Sequence, residues 1–230
     1  MFLLFAAPIT ANLNLNAIMQ SPQFSSSIQL VLAMALISLI PFFLISVTSF
    51  LRIIIVFALL RTAIGTQQVP PNAVMTGLAL FMTVFIMSPV WQEVNTNALI
   101  PYNAGKISQA KAIEIGMKPL SRFMLKQTRE KDLALFVQFS KIPTPKTPDQ
   151  VPYYVLIPSF MISELKTAFQ IGFLLFVPFI IIDLVVANIL LSLGMFMLSP
   201  VMVSLPFKIL LFVLVDGWNL ITRGLLMSFK

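Results

Sequence analysis

Long stretches without a single ionisable side chain constrain this sequence more than any other feature. They cover residues 28–51, 73–90, 167–182 and 184–207. Stretches of this length approach or reach the roughly 20 apolar residues that a helix needs to cross a bilayer. Over the whole chain 58% of the residues are hydrophobic and 10% are charged. The sequence therefore predicts an all-α, membrane-associated protein made of apolar helical hairpins.

The residue types that are missing narrow the function. The chain has no cysteine and no histidine, which excludes disulfides, thiolate or imidazole metal ligands and an imidazole base. It also lacks a GxxxxGK[ST] phosphate-binding loop. We therefore expect no catalytic residues, no metal, no cofactor and no enzymatic activity. The net charge of +7 comes without a nucleic-acid-binding motif, so we expect a membrane or protein partner and not nucleic acid.

The positions of charged residues and prolines divide the chain into four segments. Residues 1–27 form an N-terminal segment whose opening, MFLLFAAPITA, resembles the apolar core of a signal peptide but lacks a basic region before it. The alternative is that this segment lies at the membrane–water interface. Residues 28–91 form a first apolar helical hairpin, in which Pro41 is expected to kink the first helix.

The third segment, residues 92–166, carries most of the charged side chains and is predicted to be a helical insertion that faces water. Its apolar residues recur at the spacing of amphipathic helices. Its prolines between 143 and 158 predict a stiff, extended connector. Residues 167–230 form the second apolar helical hairpin, with its tip at 194–200.

The sequence GMFMLSP at this tip interrupts an apolar run. Gly194 and Pro200 both disfavour a helix interior, and they bracket Met195, Phe196 and Met197. Irregular backbone at membrane depth is tolerated only where it is buried in protein or lines a cavity. We therefore predict a pore-lining gate formed by the three large side chains, with the glycine and the proline as hinges. The alternative is that the three side chains fill the interior of the hairpin.

Charges inside the apolar segments are costly and mark candidate sites; they are Arg52, Asp183, Lys208 and Asp216. Arg52 either snorkels from a helix end or forms a structural pair, and the sequence leaves both open. Asp183 lies roughly 16 Å along one arm from the tip, and Lys208 roughly 12 Å along the other. We expect these two to form a buried charge pair, within one chain or between two. A proton relay is the alternative, but no histidine or second buried carboxylate accompanies Asp183.

An apolar stripe leads to Asp183. Its members follow alternating steps of four and three and so share one helix face; they are Phe169, Phe173, Phe176 and Ile180. We expect a packing surface. Upstream of the stripe, Glu164 and Lys166 stand two residues apart and point to different sides of the helix, so they are not expected to pair with each other.

Several long blocks resemble the FliP family of the flagellar type III export apparatus. They include TSFLRIIIVFALLRTAIGTQQVPPN, SRFMLKQTREKDLALF and LPFKILLFVLVDGWNLI, and the similarity extends from about Thr48 to the C-terminus. The equivalent subunits of virulence injectisomes share shorter patterns, which makes them the alternative. An ion-coupled solute transporter is a further alternative from another class, but the two hairpins show no internal repeat.

The resemblance implies an export gate in the bacterial inner membrane, at the flagellar basal body. Several copies of the chain, pentameric in the family, would assemble with FliQ, FliR and other export apparatus proteins into a helical ring that passes unfolded polypeptides. Consecutive methionines form a gasket in the family, and Phe196 in the middle of this one would stiffen it. The resemblance also implies that much of the mass, including residues 92–158, lies on the extracytoplasmic side.

Overall fold

The computed structural model describes residues 22–66, 68–140, 147 and 150–229. Most of the predicted N-terminal segment and most of the proline-rich connector lie outside these residues. All regular secondary structure in the described part of the chain is helical. The all-α prediction is therefore confirmed.

The helices follow one another in the order α1 (Pro22–Val47), α2 (Phe50–Ile64), α3 (Asn72–Val94), α4 (Ile100–Asn103), α5 (Gln109–Gln127), α6 (Glu130–Ser140), α7 (Tyr153–Ser192), α8 (Pro200–Leu214) and α9 (Gly217–Met227). A π-helical turn, Asn95–Leu99, joins α3 to α4. The chain divides into two compact units, Met1–Phe42 and Phe43–Lys230. All contacts described below lie within the second unit.

Two continuous helical stretches are long and apolar enough to cross a membrane, Asn72–Asn103 and Tyr153–Ser192. The number rises to four if each of two bent helix pairs is a single span; α8 and α9, which meet at 63°, form one of these pairs. The 40 residues of α7 measure roughly 60 Å, about twice the thickness of the hydrocarbon core. A helix of this length that crosses the hydrocarbon at the tilts usual for membrane helices also extends beyond it.

The main core forms where α2 packs along α7. Gly172 allows the two helices to approach closely, because a Cβ atom at that position would lie 2.2 Å from Leu59 Cδ1. Apolar side chains of α3, α8 and α9 complete this core, and its fully buried members include Ile53, Val56, Phe57 and Ala79. A second cluster joins α5 and α6 to the start of α7 around Met124, Leu156 and Phe160.

A polar cluster also attaches the start of α6 to α7. Ser163 Oγ donates to Asp132 Oδ2 at 2.8 Å, and Lys166 Nζ donates to Asp132 Oδ1. The backbone N–H of Arg129 donates to Ser163 Oγ at 3.0 Å. Burial raises the pKa of Asp132, but the hydrogen bonds from Lys166 and Ser163 outweigh it, so that pKa lies below its ordinary value. The ionised carboxylate thus holds α6 against α7.

Helix α7 is longer than the charge and proline patterns suggest. It begins at Tyr153, so residues 153–158, expected to be extended, are helical with Pro158 inside the helix. It also continues past the expected boundary at 166. Glu164 does not end the apolar helix because its carboxylate pairs with Arg52.

The sequence predicts a kink at Pro41 in the first apolar segment. The helix break lies further along the chain. Helix α1 continues through Pro41 to Val47, and the chain turns at Thr48 and Ser49 before α2. Thr48 Oγ1 donates to the Leu44 carbonyl and accepts from the Phe50 N–H at 3.3 Å. The hydroxyl thus satisfies backbone groups that the helix break would otherwise leave unpaired.

Candidate functional site

The tip between α7 and α8 begins with a glycine cap. Gly194 has a left-handed backbone with φ of +73°. Its N–H donates to the Leu191 carbonyl at 3.0 Å, and the Met195 N–H donates to the Leu190 carbonyl at 2.9 Å. This pair of bonds is the Schellman arrangement, which ends a helix and turns the chain away from its axis. Gly194 therefore directs the following side chains out of the hairpin.

The three large side chains after this cap are exposed in the single chain. Met195 is 44% exposed, Phe196 76% and Met197 100%. None of them forms part of the buried core of the described residues. The chain re-enters a helix at Pro200, the first residue of α8, a position where the missing N–H of proline costs nothing. The loop thus presents an apolar cluster at the end of a helical hairpin.

Asp183 and Lys208 lie behind the loop and contact each other. Lys208 Nζ is 2.7 Å from Asp183 Oδ2, and Ser204 Oγ donates to Asp183 Oδ1 at 2.5 Å. Lys208 Nζ also donates to the Ala63 carbonyl, at 3.4 Å, in the last turn of α2. A cation at a helix C-terminus interacts favourably with the helix dipole. Lys208 thereby joins α2, α7 and α8.

The lysine is more deeply buried than the aspartate, with side-chain exposures of 5% and 30%. Asp183→Asn leaves this buried ammonium without its carboxylate, whereas Lys208→Met leaves a carboxylate that still has Ser204 and water. We expect Asp183→Asn to lower the free energy of unfolding by about 1–3 kcal/mol, less than a fully buried pair because water screens Asp183. Lys208→Met should cost less. Thermal unfolding of the purified protein in detergent measures both.

Asp216→Asn is the matched control, because Asp216 is exposed and has no ion pair among the described residues. Asparagine also tolerates the left-handed backbone at this position, where φ is +50°. The control should leave the unfolding midpoint unchanged. Exchange of Asp183 and Lys208 should recover part of the loss; equal midpoints for Asp183→Asn and the control would contradict a stabilising pair.

Arg52 forms the most extensive polar contact in the described part of the chain. Its Nε donates to Glu164 Oε2 at 2.8 Å, and its Nη2 donates to Glu164 Oε1 and, at 3.1 Å, to Gln127 Oε1. Its Nη1 donates to the Ser228 carbonyl and hydroxyl oxygens, both at 2.9 Å. Every N–H donor of the guanidinium therefore has an acceptor. The guanidinium carbon also lies 3.8 Å from the centre of the Phe229 ring.

This arrangement resolves the alternatives that the sequence left for Arg52. Its side chain is 2% exposed and that of Glu164 is 0% exposed, so Arg52 does not snorkel to water. It ties α2 to α7, to the end of α5 and to the residues after α9. Glu164 and Lys166 do not pair with each other but with Arg52 and Asp132 respectively.

Asp216 has a different environment from the other three charges. It is exposed at the turn between α8 and α9, and its side chain makes no capping hydrogen bond. Gly217 follows, and a Cβ atom there would lie 2.2 Å from the Phe212 ring. The Asp-Gly dipeptide thus forms a tight bend. The sequence indicates this bend, because Asp-Gly is a common turn dipeptide.

The stripe before Asp183 faces mostly away from the core of its own chain. Phe169 is 58% exposed, Phe173 69% and Ile180 46%. Phe176 is half-buried and packs against the main core. No group of three metal-ligating side chains lies together in the described part of the chain. The features that this part offers are therefore an apolar loop, separate charge pairs that join helices, and large apolar surfaces.

A model of the FliP family matches residues 33–225 of the chain. The chain belongs to the FliP family. The match runs from α1 into α9 and so includes the loop and the pairs Arg52–Glu164 and Asp183–Lys208. The FliP family is not a family of enzymes, as expected from the residue types that the sequence lacks.

Individual relatives match this chain over most of their own length. Flagellar biosynthetic protein FliP of Bacillus subtilis (strain 168) is 53% identical over 205 residues, which are 89% of this chain and 93% of the relative. The protein of the same name from Pectobacterium carotovorum subsp. carotovorum is 53% identical over 203 residues, covering 88% and 79%. That of Aquifex aeolicus (strain VF5) is 49% identical over 209 residues, covering 89% and 86%. The resemblance noted in the sequence is confirmed.

Proposed function

We propose that this chain is a core pore subunit of the flagellar type III export gate, which passes unfolded flagellar proteins across the inner membrane. The exposed loop at 195–197 is the observation that carries the proposal, because large apolar side chains at a hairpin tip need a cover that the single chain does not supply. The relatives are named as flagellar biosynthetic proteins, which favours the flagellar apparatus over a virulence injectisome.

The proposed pore lies on an axis shared by several copies, with the three side chains of each copy projecting towards it. A ring of such side chains is difficult to wet and bars ions by dewetting. Methionine suits a seal that must also yield to cargo, because it is unbranched and adapts its shape to irregular neighbours. Phe196 adds bulk to the closed state. The left-handed Gly194 and the helix start at Pro200 set the two ends of the loop.

The same proposal assigns partners to the exposed apolar faces. Several copies of the chain pack side by side, with FliQ and FliR completing the ring, and the stripe containing Phe169 and Phe173 is a packing surface between subunits. The length of α7 supports this, because an apolar helix of roughly 60 Å needs protein cover where it leaves the hydrocarbon. We further propose that residues 92–158 of the polar insertion lie on the extracytoplasmic side.

A stalled export cargo tests the proposal. The chain contains no cysteine, so Met197→Cys introduces the only thiol in it. A flagellar protein with one cysteine and a folded domain at its C-terminus stops during export and leaves an extended segment in the pore. We expect a disulfide or a short bifunctional reagent to join this segment to position 197.

Leu214→Cys is the matched control, because Leu214 is 74% exposed at the other end of α8, roughly 20 Å along the helix. It should form little or no adduct with the cargo. An equal yield at the two positions, or adducts at neither position when the cargo is shown to be stalled, would contradict a cargo path through the loop.

A further inference from the structure

A groove runs between α3 and α9. It has a volume of about 1130 Å³, and its walls include the exposed apolar side chains of Leu78, Phe85, Trp218 and Met227. A smaller cavity of about 390 Å³, between α3 and α5, adjoins it because both are lined by Ile86, Pro89 and Phe229. The two cavities are therefore neighbours along α3, and together they are called the channel.

Two of the three basic side chains in these walls have no anionic partner among the described residues. Arg223 lines the larger cavity and Lys126 the smaller one, and both are exposed. No carboxylate in the described ranges lies within ion-pairing distance of either. Glu93, in the wall of the smaller cavity, is already paired with Arg122 at 2.5 Å. The channel therefore combines apolar walls with two unpaired cations.

We infer that this groove binds one anionic phospholipid, with its acyl chains along the apolar walls and its phosphate between Arg223 and Lys126. Asn219 and Thr222 add hydrogen-bonding groups to the same wall. Arginine and lysine side chains bind phosphate oxygens through charge-assisted hydrogen bonds. Trp218 is of the residue type that anchors helices at the membrane–water interface.

Charge favours a lipid over a second copy of this chain as the occupant. A helix of another copy would have to bring free carboxylates to Arg223 and Lys126. The chain has only eight acidic residues. Five of them are already paired with a basic side chain of the same chain, namely Glu93, Glu114, Asp132, Glu164 and Asp183. An anionic phospholipid supplies the missing charge and the apolar volume in one molecule.

Lipid binding to the purified, delipidated protein complex in mild detergent tests this inference. Phosphatidylglycerol and phosphatidylcholine with the same acyl chains are titrated, and bound lipids are counted by native mass spectrometry. We expect tighter binding of phosphatidylglycerol. The double change Arg223→Gln and Lys126→Gln should weaken it about 30-fold, from about 1 kcal/mol for each basic residue near an anionic headgroup.

Two further variants distinguish lipid binding in the groove from a general effect of positive charge on the protein surface. Lys131→Gln removes an exposed cation outside the groove and should leave binding unchanged. Thr222→Trp fills the groove without changing its charge and should reduce the binding of both lipids. Equal affinity for the two lipids, the same loss in Lys131→Gln, or full competition by glycerol 3-phosphate would overturn the inference. A co-purified protein cross-linked at the groove, with no lipid bound, would also overturn it. None of these readouts depends on export.

Discussion

Replacement of Glu164 by glutamine is expected to lower the free energy of unfolding by about 3–5 kcal/mol. The reason is that Arg52, only 2% exposed, would keep its charge in an apolar environment without a carboxylate to balance it. Arg52→Leu should cost a similar amount, since it leaves the Glu164 carboxylate unpaired and also releases Gln127 and Ser228. Thermal unfolding in detergent and cellular abundance are the measurements. This network joins three helices and the residues after α9, so its loss should also reduce assembly.

The double replacement of Arg52 and Glu164 by leucine separates pairing from packing. Removal of both charges together can be close to neutral when apolar side chains fill the space, so the double variant should be more stable than either single one. Glu93→Gln is the control, because the pair Glu93–Arg122 is exposed and such pairs contribute about 0–1 kcal/mol. If Glu164→Gln costs no more than Glu93→Gln, the buried pair does not hold the helices together.

The fold class could be predicted from the sequence because apolar chains have few options. Long uncharged stretches must satisfy their backbone hydrogen bonds internally, which favours helices. The turn between α7 and α8 falls on GMFMLSP because glycine and proline act locally: Gly194 adopts a backbone that other residues avoid, and Pro200 starts a helix easily. The gate role of this loop remains a prediction.

Contacts between distant residues could not be predicted in the same way. The pair Arg52–Glu164 joins residues 112 positions apart, and no local spacing encodes that distance. The available signal was the position of Arg52 inside an apolar helix and the opposite signs of the two charges. Asp183 and Lys208 were easier to connect, since the tip between their helices sets the distance of each from the turn. Ser204 and Lys208 both bind the Asp183 carboxylate. Nothing in the sequence indicated this role of Ser204 except its position one helical turn before Lys208.

Replacement of Met195, Phe196 and Met197 together by alanine is expected to leave the complex assembled and to make the membrane leaky. The side chains are exposed in the single chain, so their truncation should change the free energy of unfolding by only about 0.5 kcal/mol each, as at other surface positions. Core residues would cost about 2–5 kcal/mol each and reduce abundance. A smaller apolar ring would admit water and ions while still passing polypeptide.

The matched control replaces Val213, Leu214 and Val215 by alanine, three consecutive apolar residues that are similarly exposed at the other end of α8. The decisive measurement is the ion leak across the membrane of cells that hold equal amounts of assembled complex. We expect a large increase in leak, with slower growth and some retained export, in the 195–197 variant. The control should leak no more than the unmodified protein. A 195–197 variant that assembles normally and remains as tight as the unmodified protein would contradict the proposed seal.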